Sequence, residues 1–176
     1  WSYTGGITSE VIDIVTVPGS NEVLYYTDGI NVFKSGNGGS SFNQLPSLPV
    51  TTGANNLLIS TINAQLINGI ITLAVGTTDT DAGEYGGVYV LTDNDTNPTW
   101  TDTQSGNYDI ADVSFSPAYT NDGLLFTVVT DEVNTYLMTR KGQENWNQSY
   151  HPAELTGVAA VSGKIVFPDT YNGIDP

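Results

Sequence analysis

The chain runs through the same order of short apolar strands three times and begins it a fourth. The first pass opens at Val11-Ile12-Asp13-Ile14-Val15, continues through Leu24-Tyr25-Tyr26-Thr27 and Val32-Phe33-Lys34-Ser35, and closes on Phe42. The second opens at Leu57-Leu58-Ile59, continues through Ile71–Gly76 and Val88–Thr92, and closes on Trp100. The third opens at Ile110–Val113, continues through Leu124–Val129 and Tyr136–Thr139, and closes on Trp146. Val158–Val161 and Lys164–Phe167 read as two strands of a fourth pass, and Trp1 as the closing aromatic of an earlier one. The closing aromatics Trp1, Phe42, Trp100 and Trp146 lie 41, 58 and 46 residues apart, the long interval holding an insert around Thr77–Gly87. Clusters of Gly, Asn, Asp, Ser and Pro separate the runs, as strand boundaries require. Residues 54–66 would also suit a helix, but β-branched Ile59, Thr61 and Ile62 and the Asn68-Gly69 pair favour strand–turn–strand.

Four strands per unit at this spacing is the pattern of a β-propeller blade, a small twisted antiparallel sheet that buries its faces against its neighbours. The expected architecture is all-β, with about three and a half blades of four antiparallel strands in one propeller segment. Its units fall at about 7–50, 51–104 and 105–152, with the start of a fourth at 153–176. An ordinary β-sandwich with accidental repetition is the competing fold. Closed propellers have about four to eight blades, so the chain is expected to be part of a longer one. Composition agrees: 23 Thr, 16 Asn, 13 Ser and 19 Gly make a turn-and-strand chain poor in helix formers.

The third strand of each unit runs into a distinctive turn. In Ser35-Gly36-Asn37-Gly38-Gly39-Ser40-Ser41-Phe42 the spacing resembles the Asp-box (BNR) repeat, Ser-x-Asp-x-Gly-x-Thr-Trp. Ser35, Gly39 and Ser41 fit, Asn37 stands for the acid and Phe42 for the tryptophan. In that turn the Asp or Asn side chain caps amides, the glycine takes a positive φ and the aromatic plugs the hairpin base. A second copy, Thr92-Asp93-Asn94-Asp95-Thr96-Asn97-Pro98-Thr99-Trp100, is one residue longer, and a third, ending on Trp146, keeps only strand and aromatic. Ser116-Pro117-Ala118-Tyr119-Thr120-Asn121-Asp122-Gly123 is similar to the link between first and second strands in bacterial extracellular Asp-box propellers. The resemblance implies fold rather than activity. Such boxes lie at blade edges in sialidases, sortilin-like receptors, xyloglucanases and photosystem assembly factors alike.

Charge and inventory narrow the function. Four Lys+Arg against 19 Asp+Glu give a net charge of −15, which repels nucleic acid and anionic membrane. No apolar run is long enough to span a membrane as a helix. There is no cysteine and one histidine, His151, which excludes thiolate chemistry and a multi-histidine zinc site. The arginine triad that a sialidase resemblance implies fails, because Arg140 is the one arginine. A glycosidase needs two facing carboxylates, for which Asp13, Asp112 and Asp131 are candidates. No Gly-x-Ser-x-Gly elbow accompanies His151. Two acidic loops have the oxygen ligands of a calcium site, Asp93, Asp95 and Asn97 in one and Asp79, Asp81 and Glu84 in the other, though neither completes an EF-hand. No other cofactor is expected. Asn94 and Asn147 open glycosylation sequons.

These features favour a non-enzymatic structural or binding module of an extracellular, cell-surface or surface-layer glycoprotein. Its partners would be further blades of the same chain, neighbouring copies or glycans. The alternatives are the propeller part of a secreted glycan-active hydrolase and a receptor-like or assembly scaffold that binds peptides.

Overall fold

A computed structural model describes residues 10–49, 56–93 and 97–173. It is all-β, with three four-stranded antiparallel sheets that follow the chain without exchange. Blade one holds β1 (Asp13–Thr16), β2 (Leu24–Thr27), β3 (Val32–Ser35) and β4 (Asn43–Gln44). Blade two holds β5 (Leu58–Ile67), β6 (Ile70–Thr78), β7 (Val88–Thr92) and β8 (Thr101–Asp102). Blade three holds β9 (Asp109–Phe115), β10 (Leu124–Thr130), β11 (Thr135–Lys141) and β12 (Ala153–Thr156), with one helical turn, α1 (Tyr119–Asp122), between β9 and β10. The first strands stack side by side, β5 packing against both β1 and β9, as the inner strands of successive propeller blades do.

The core is two blade interfaces rather than one interior, and strand alternation assigns residues to them. Leu73 and Val75 of β6, with Tyr89 and Leu91 of β7, point toward blade one and join Val17, Tyr25, Val32, Ile59 and Ile62. Ala74 and Val88 point the other way and join Ile110, Val113, Phe115, Leu125, Val129 and Met138. Gly76 leaves no room for a side chain at the second interface, since a Cβ there would run into Ile110 and Thr61. Any larger residue would push blades two and three apart.

Residues 58–67 form a strand, not a helix, and Asn68 (φ 52°) with Gly69 (φ 81°) makes the tight turn into β6. Two expectations are corrected. The third unit runs past residue 152, because Ala153–Thr156 pairs with β11 as its outer strand. Val158–Val161 and Lys164–Phe167 are not strands. Their apolar pattern suits a strand, but a strand also needs a ladder. Lys164 and Ile165 instead reach the Asp112 carboxylate.

Candidate functional site

The inner strands carry a chain of polar residues that touch from blade to blade. Asp13 pairs across its blade with Thr27, Thr61 with Gly76 and Asp112 with Val128. Asp13 and Thr61 each meet the next blade, and Asp112 meets the segment that follows β12. The Ile62 amide donates to Asp13 Oδ2 at 2.9 Å, and the Thr61 hydroxyl does so at 3.3 Å. Thr61 Oγ1 also lies 2.9 Å from Asp112 Oδ1. Asp112, 1% exposed, accepts from the Ile165 amide at 2.5 Å and lies 3.4 Å from Lys164 Nζ. Ile165 thus repeats toward Asp112 what Ile62 does toward Asp13. Asp13 and Asp112, two of the three candidate glycosidase carboxylates, are each tied to blade two. Thr61 and Lys164 escaped the sequence reading. Aligning Ile12-Asp13-Ile14, Ser60-Thr61-Ile62, Ala111-Asp112-Val113 and Gly163-Lys164-Ile165 would have put all four in one column.

The Ser35 turn closes on itself as the spacing implies. Ser35 Oγ accepts from the Gly39 amide at 2.9 Å, and Asn37 Oδ1 accepts from the Ser41 amide at 3.0 Å. Gly39 has φ 86°, and Asn37 Nδ2 donates to Ser41 Oγ at 2.9 Å. The second copy behaves differently. Asp93 turns toward blade one, where it pairs with Lys34 Nζ at 2.6 Å and accepts from the Tyr25 hydroxyl. Burial, then the hydrogen bond to Asp93 and its charge, push the Tyr25 hydroxyl pKa well above its ordinary value. Asp93 therefore serves an ion pair between blades, Asn97 and Thr99 are exposed, and Asn94 and Asp95 lie outside the described residues. In the third copy Asn147 Oδ1 accepts from the Thr139 amide at 3.2 Å. Arg140 braces the same turn through the Glu144 carbonyl at 3.0 Å, and His151 is exposed.

The closing aromatics were expected to be equivalent and buried. Phe42 and Trp100 each sit one residue before the outer strand, β4 or β8, but only Trp100 is buried, at 8% exposure. Phe42 is half-buried against Tyr26 within its own blade. Trp146, also half-buried, precedes its outer strand by several residues. The tryptophans reach back one blade: Trp100 Nε1 donates to the Pro46 carbonyl at 2.8 Å, and Trp146 Nε1 to Thr103 Oγ1 at 3.0 Å.

Ser116–Gly123 forms a knot that links β9 to β10. Ser116 Oγ donates to Asp122 Oδ2 at 2.5 Å and accepts from the Ala118 amide at 2.9 Å. Asp122 Oδ1 accepts from the Leu124 amide at 2.9 Å, and Gly123 caps α1 at φ 67°.

A further repeat lies in the hairpins after the second strands. In blade one Asp28 Oδ1 accepts from the Ile30 and Asn31 amides at 2.9 and 2.7 Å. In blade three Asp131 Oδ1 accepts from Val133 and Asn134 at 3.0 and 2.6 Å. Asp131, the third carboxylate a glycosidase reading draws on, is thus a hairpin cap. For Asp28, burial raises the pKa but the Asn31 and Ile30 amides outweigh it, leaving a carboxyl below its usual value. Asp131 is lowered chiefly by the Asn134 amide.

In blade two the residue after the second strand is Asp79, and the hairpin is replaced by the insert. Asp79 Oδ1 accepts from the Asp81 amide at 2.8 Å. One carboxylate oxygen from each of Asp79, Asp81 and Glu84 lies within 4.8 Å of the others. Blade three holds the loop from outside: Asp109 Oδ1 accepts from the Asp79 and Gly86 amides at 2.8 and 2.9 Å, and Glu132 from the Gly83 amide at 3.0 and 3.1 Å. Burial lifts the Asp109 carboxyl above its ordinary pKa; its two amide donors oppose this, and the charges of Glu132 and Asp79 add to it.

No family model matches this chain, and no curated protein matches it. Among solved structures it is similar to YCF48 from Cyanidioschyzon merolae, with TM-score 0.46 and 15% identity over 82% of this chain and 44% of that one. It is also similar to a structure titled YCF48 bound to D1 peptide, with TM-score 0.42 and 10% identity over 81% of this chain and 39% of that one. The chain spans less than half the length of either. At this similarity the propeller reading rests on the chain's own three sheets. Among the described residues no helix is long and apolar enough to cross a membrane.

Proposed function

We propose that this chain is a non-catalytic scaffold module, a run of Asp-box-type propeller blades in an extracellular or cell-surface protein, with a surface-layer component as its narrowest form. One observation carries the reading: the carboxylates a hydrolase would draw on are taken up in the fold, Asp13 by the Ile62 amide of blade two, Asp112 by the Thr61 hydroxyl of blade two and the Ile165 amide beyond β12, and Asp131 by the amides of its own hairpin. A glycosidase pair needs carboxyl groups facing an open cleft about 5–10 Å apart. The Ser35–Phe42 turn, with its cross-bonded Ser35, Asn37, Gly39 and Ser41, supports the Asp-box assignment. The Thr- and Asn-rich composition and the sequons at Asn94 and Asn147 support an exported glycoprotein.

The test incubates the purified chain with neutral and sialylated oligosaccharides and follows products by mass spectrometry, alongside glycan and peptide arrays. No product and saturable binding to one array class are expected. Product release abolished by Asp112→Asn in a variant that still folds would overturn the reading. Peptide recognition, the partner class printed for one YCF48 structure, forms the second arm of the array test. Glycopeptide analysis of material from the natural source should find glycan on Asn94 or Asn147. Both bare would remove the glycoprotein part.

A further inference from the structure

We propose that the insert of blade two is a calcium site, formed by the carboxylates of Asp79, Asp81 and Glu84, that fastens blade two to blade three. An acidic loop alone would be no more than a solvated turn. Here a second fact points to a ligand: Asp79 is 8% exposed, and its Oδ2 is buried with no hydrogen-bond partner. Glu84 Oε2 is buried without a partner as well. Buried carboxylate oxygens ordinarily collect donors, because an unmet one forfeits its hydration for nothing.

The hairpins show what the same residue does when donors are present. Asp131 in blade three holds the register position of Asp79 and receives two amides on one oxygen. Asp79 receives one amide on Oδ1, and the insert carries the remaining chain elsewhere. The insert brings carboxylates instead of donors. Ligand oxygens within 4.8 Å of one another can share one Ca²⁺, which takes six to eight oxygens at about 2.3–2.6 Å. A purely oxygen donor set selects a hard cation.

Charge argues the same way. Asp109 and Glu132 accept amides of this loop, which brings five carboxylates to one junction. The two ion pairs among the described residues, Lys34–Asp93 and Lys164–Asp112, lie elsewhere. A divalent cation would offset the repulsion that the loop builds up against blade three. Asn56 Nδ2, 2.7 Å from Asp81 Oδ2, leaves the other Asp81 oxygen free to turn inward.

The experiment is calorimetric titration of the chelator-treated 176-residue chain with CaCl2, paired with thermal unfolding in calcium and in EDTA. One site is expected, with a dissociation constant of about 0.1–1 mM, as in extracellular calcium modules, and a melting temperature that rises with calcium. Asp79→Asn and Glu84→Gln should each weaken binding about tenfold or more. Asp81→Asn, at an exposed position, should do so without loss of fold, which keeps the test valid if the buried variants misfold. Glu22→Gln, at a distant exposed acid, should leave binding unchanged. No heat at about 10 mM Ca²⁺ (about ten times the weakest expected constant) overturns the proposal. So does binding that Asp81→Asn and Glu22→Gln reduce equally, since that would be the diffuse attraction of a −15 chain.

Discussion

Asp112 is 1% exposed, and its two oxygens serve the Thr61 hydroxyl, the Ile165 amide and the Lys164 ammonium. Truncating it strands donors in a dry junction, so Asp112→Ala should destabilise the chain by roughly 2–3 kcal/mol in urea unfolding. Lys164→Ala should cost no more than about 1 kcal/mol, because the lysine side chain is 65% exposed and its pair is screened. If Lys164→Ala proves the costlier change, the ion pair and not the amide bond holds the junction. Acid behaviour follows from Asp28 and Asp131, whose folded pKa values lie below the ordinary carboxyl value. Groups depressed in this way stabilise the fold above the unfolded pKa of about 3.9 and lose that contribution as pH falls through the folded value. Stability measured between pH 6 and 2 should therefore fall on the acid side, and Asp28→Asn with Asp131→Asn should flatten the fall. An unchanged acid limb in that double variant would mean other carboxylates set it.

Each blade is joined to its neighbour at three depths: the polar column at the inner strands, the apolar layer between sheets, and the tryptophan at the outer edge. Trp100 belongs to the apolar cluster and also donates to Pro46, so its loss should be the gravest of the three aromatics. Trp100→Ala is expected to cost about 3–5 kcal/mol, Trp146→Ala, packed against the second cluster, roughly half of that, and Phe42→Ala, which rests on Tyr26 outside both clusters, about 1 kcal/mol. Equal losses would restore the equivalence that the sequence spacing suggests. Trp146→Phe should keep part of the packing while losing the bond to Thr103.

At the scale of the whole molecule, alternation sends Asp13 and Val15 toward blade two and leaves Ile14 of the same strand 53% exposed. Val11 and Ile12 lie beside it at 40% and 47%. Past the third sheet, Val158, Val161 and Val166 are 63%, 101% and 81% exposed. Apolar groups presented at both ends of a stack are an association surface, opposed here by the mutual repulsion of −15 chains. Sedimentation should show association that rises with concentration and with added salt, which screens the repulsion. Ile14→Glu with Val166→Glu should suppress it. A chain that stays monomeric throughout would mean these groups find cover within the molecule.

The first three strands of each blade and the tight turns were legible because they depend on neighbours in sequence: alternation, β-branching and Asn-Gly pairs act over a few residues; the short outer strands β4, β8 and β12 carry too little of that pattern to be placed. The all-β blades and the strand reading of residues 58–67 follow from that alone. The partners of the polar side chains were not legible. Asp13 meets Thr61 and Asp112 meets Ile165 across 48 and 53 residues, and which group faces which depends on how one twisted sheet, or the segment after β12, settles on the next sheet. The same holds for Asp93, which reads as an oxygen ligand in its own loop and is drawn to Lys34 of the preceding blade. The pattern of Lys164–Phe167 matches that of true strands, yet a ladder is a property of two strands, and alternation in one cannot supply the other. The acidic insert divides along the same line. Asp79, Asp81 and Glu84 are close in sequence and visible there, while Asp109 and Glu132, which hold the loop from blade three, come to it only when the blades stack.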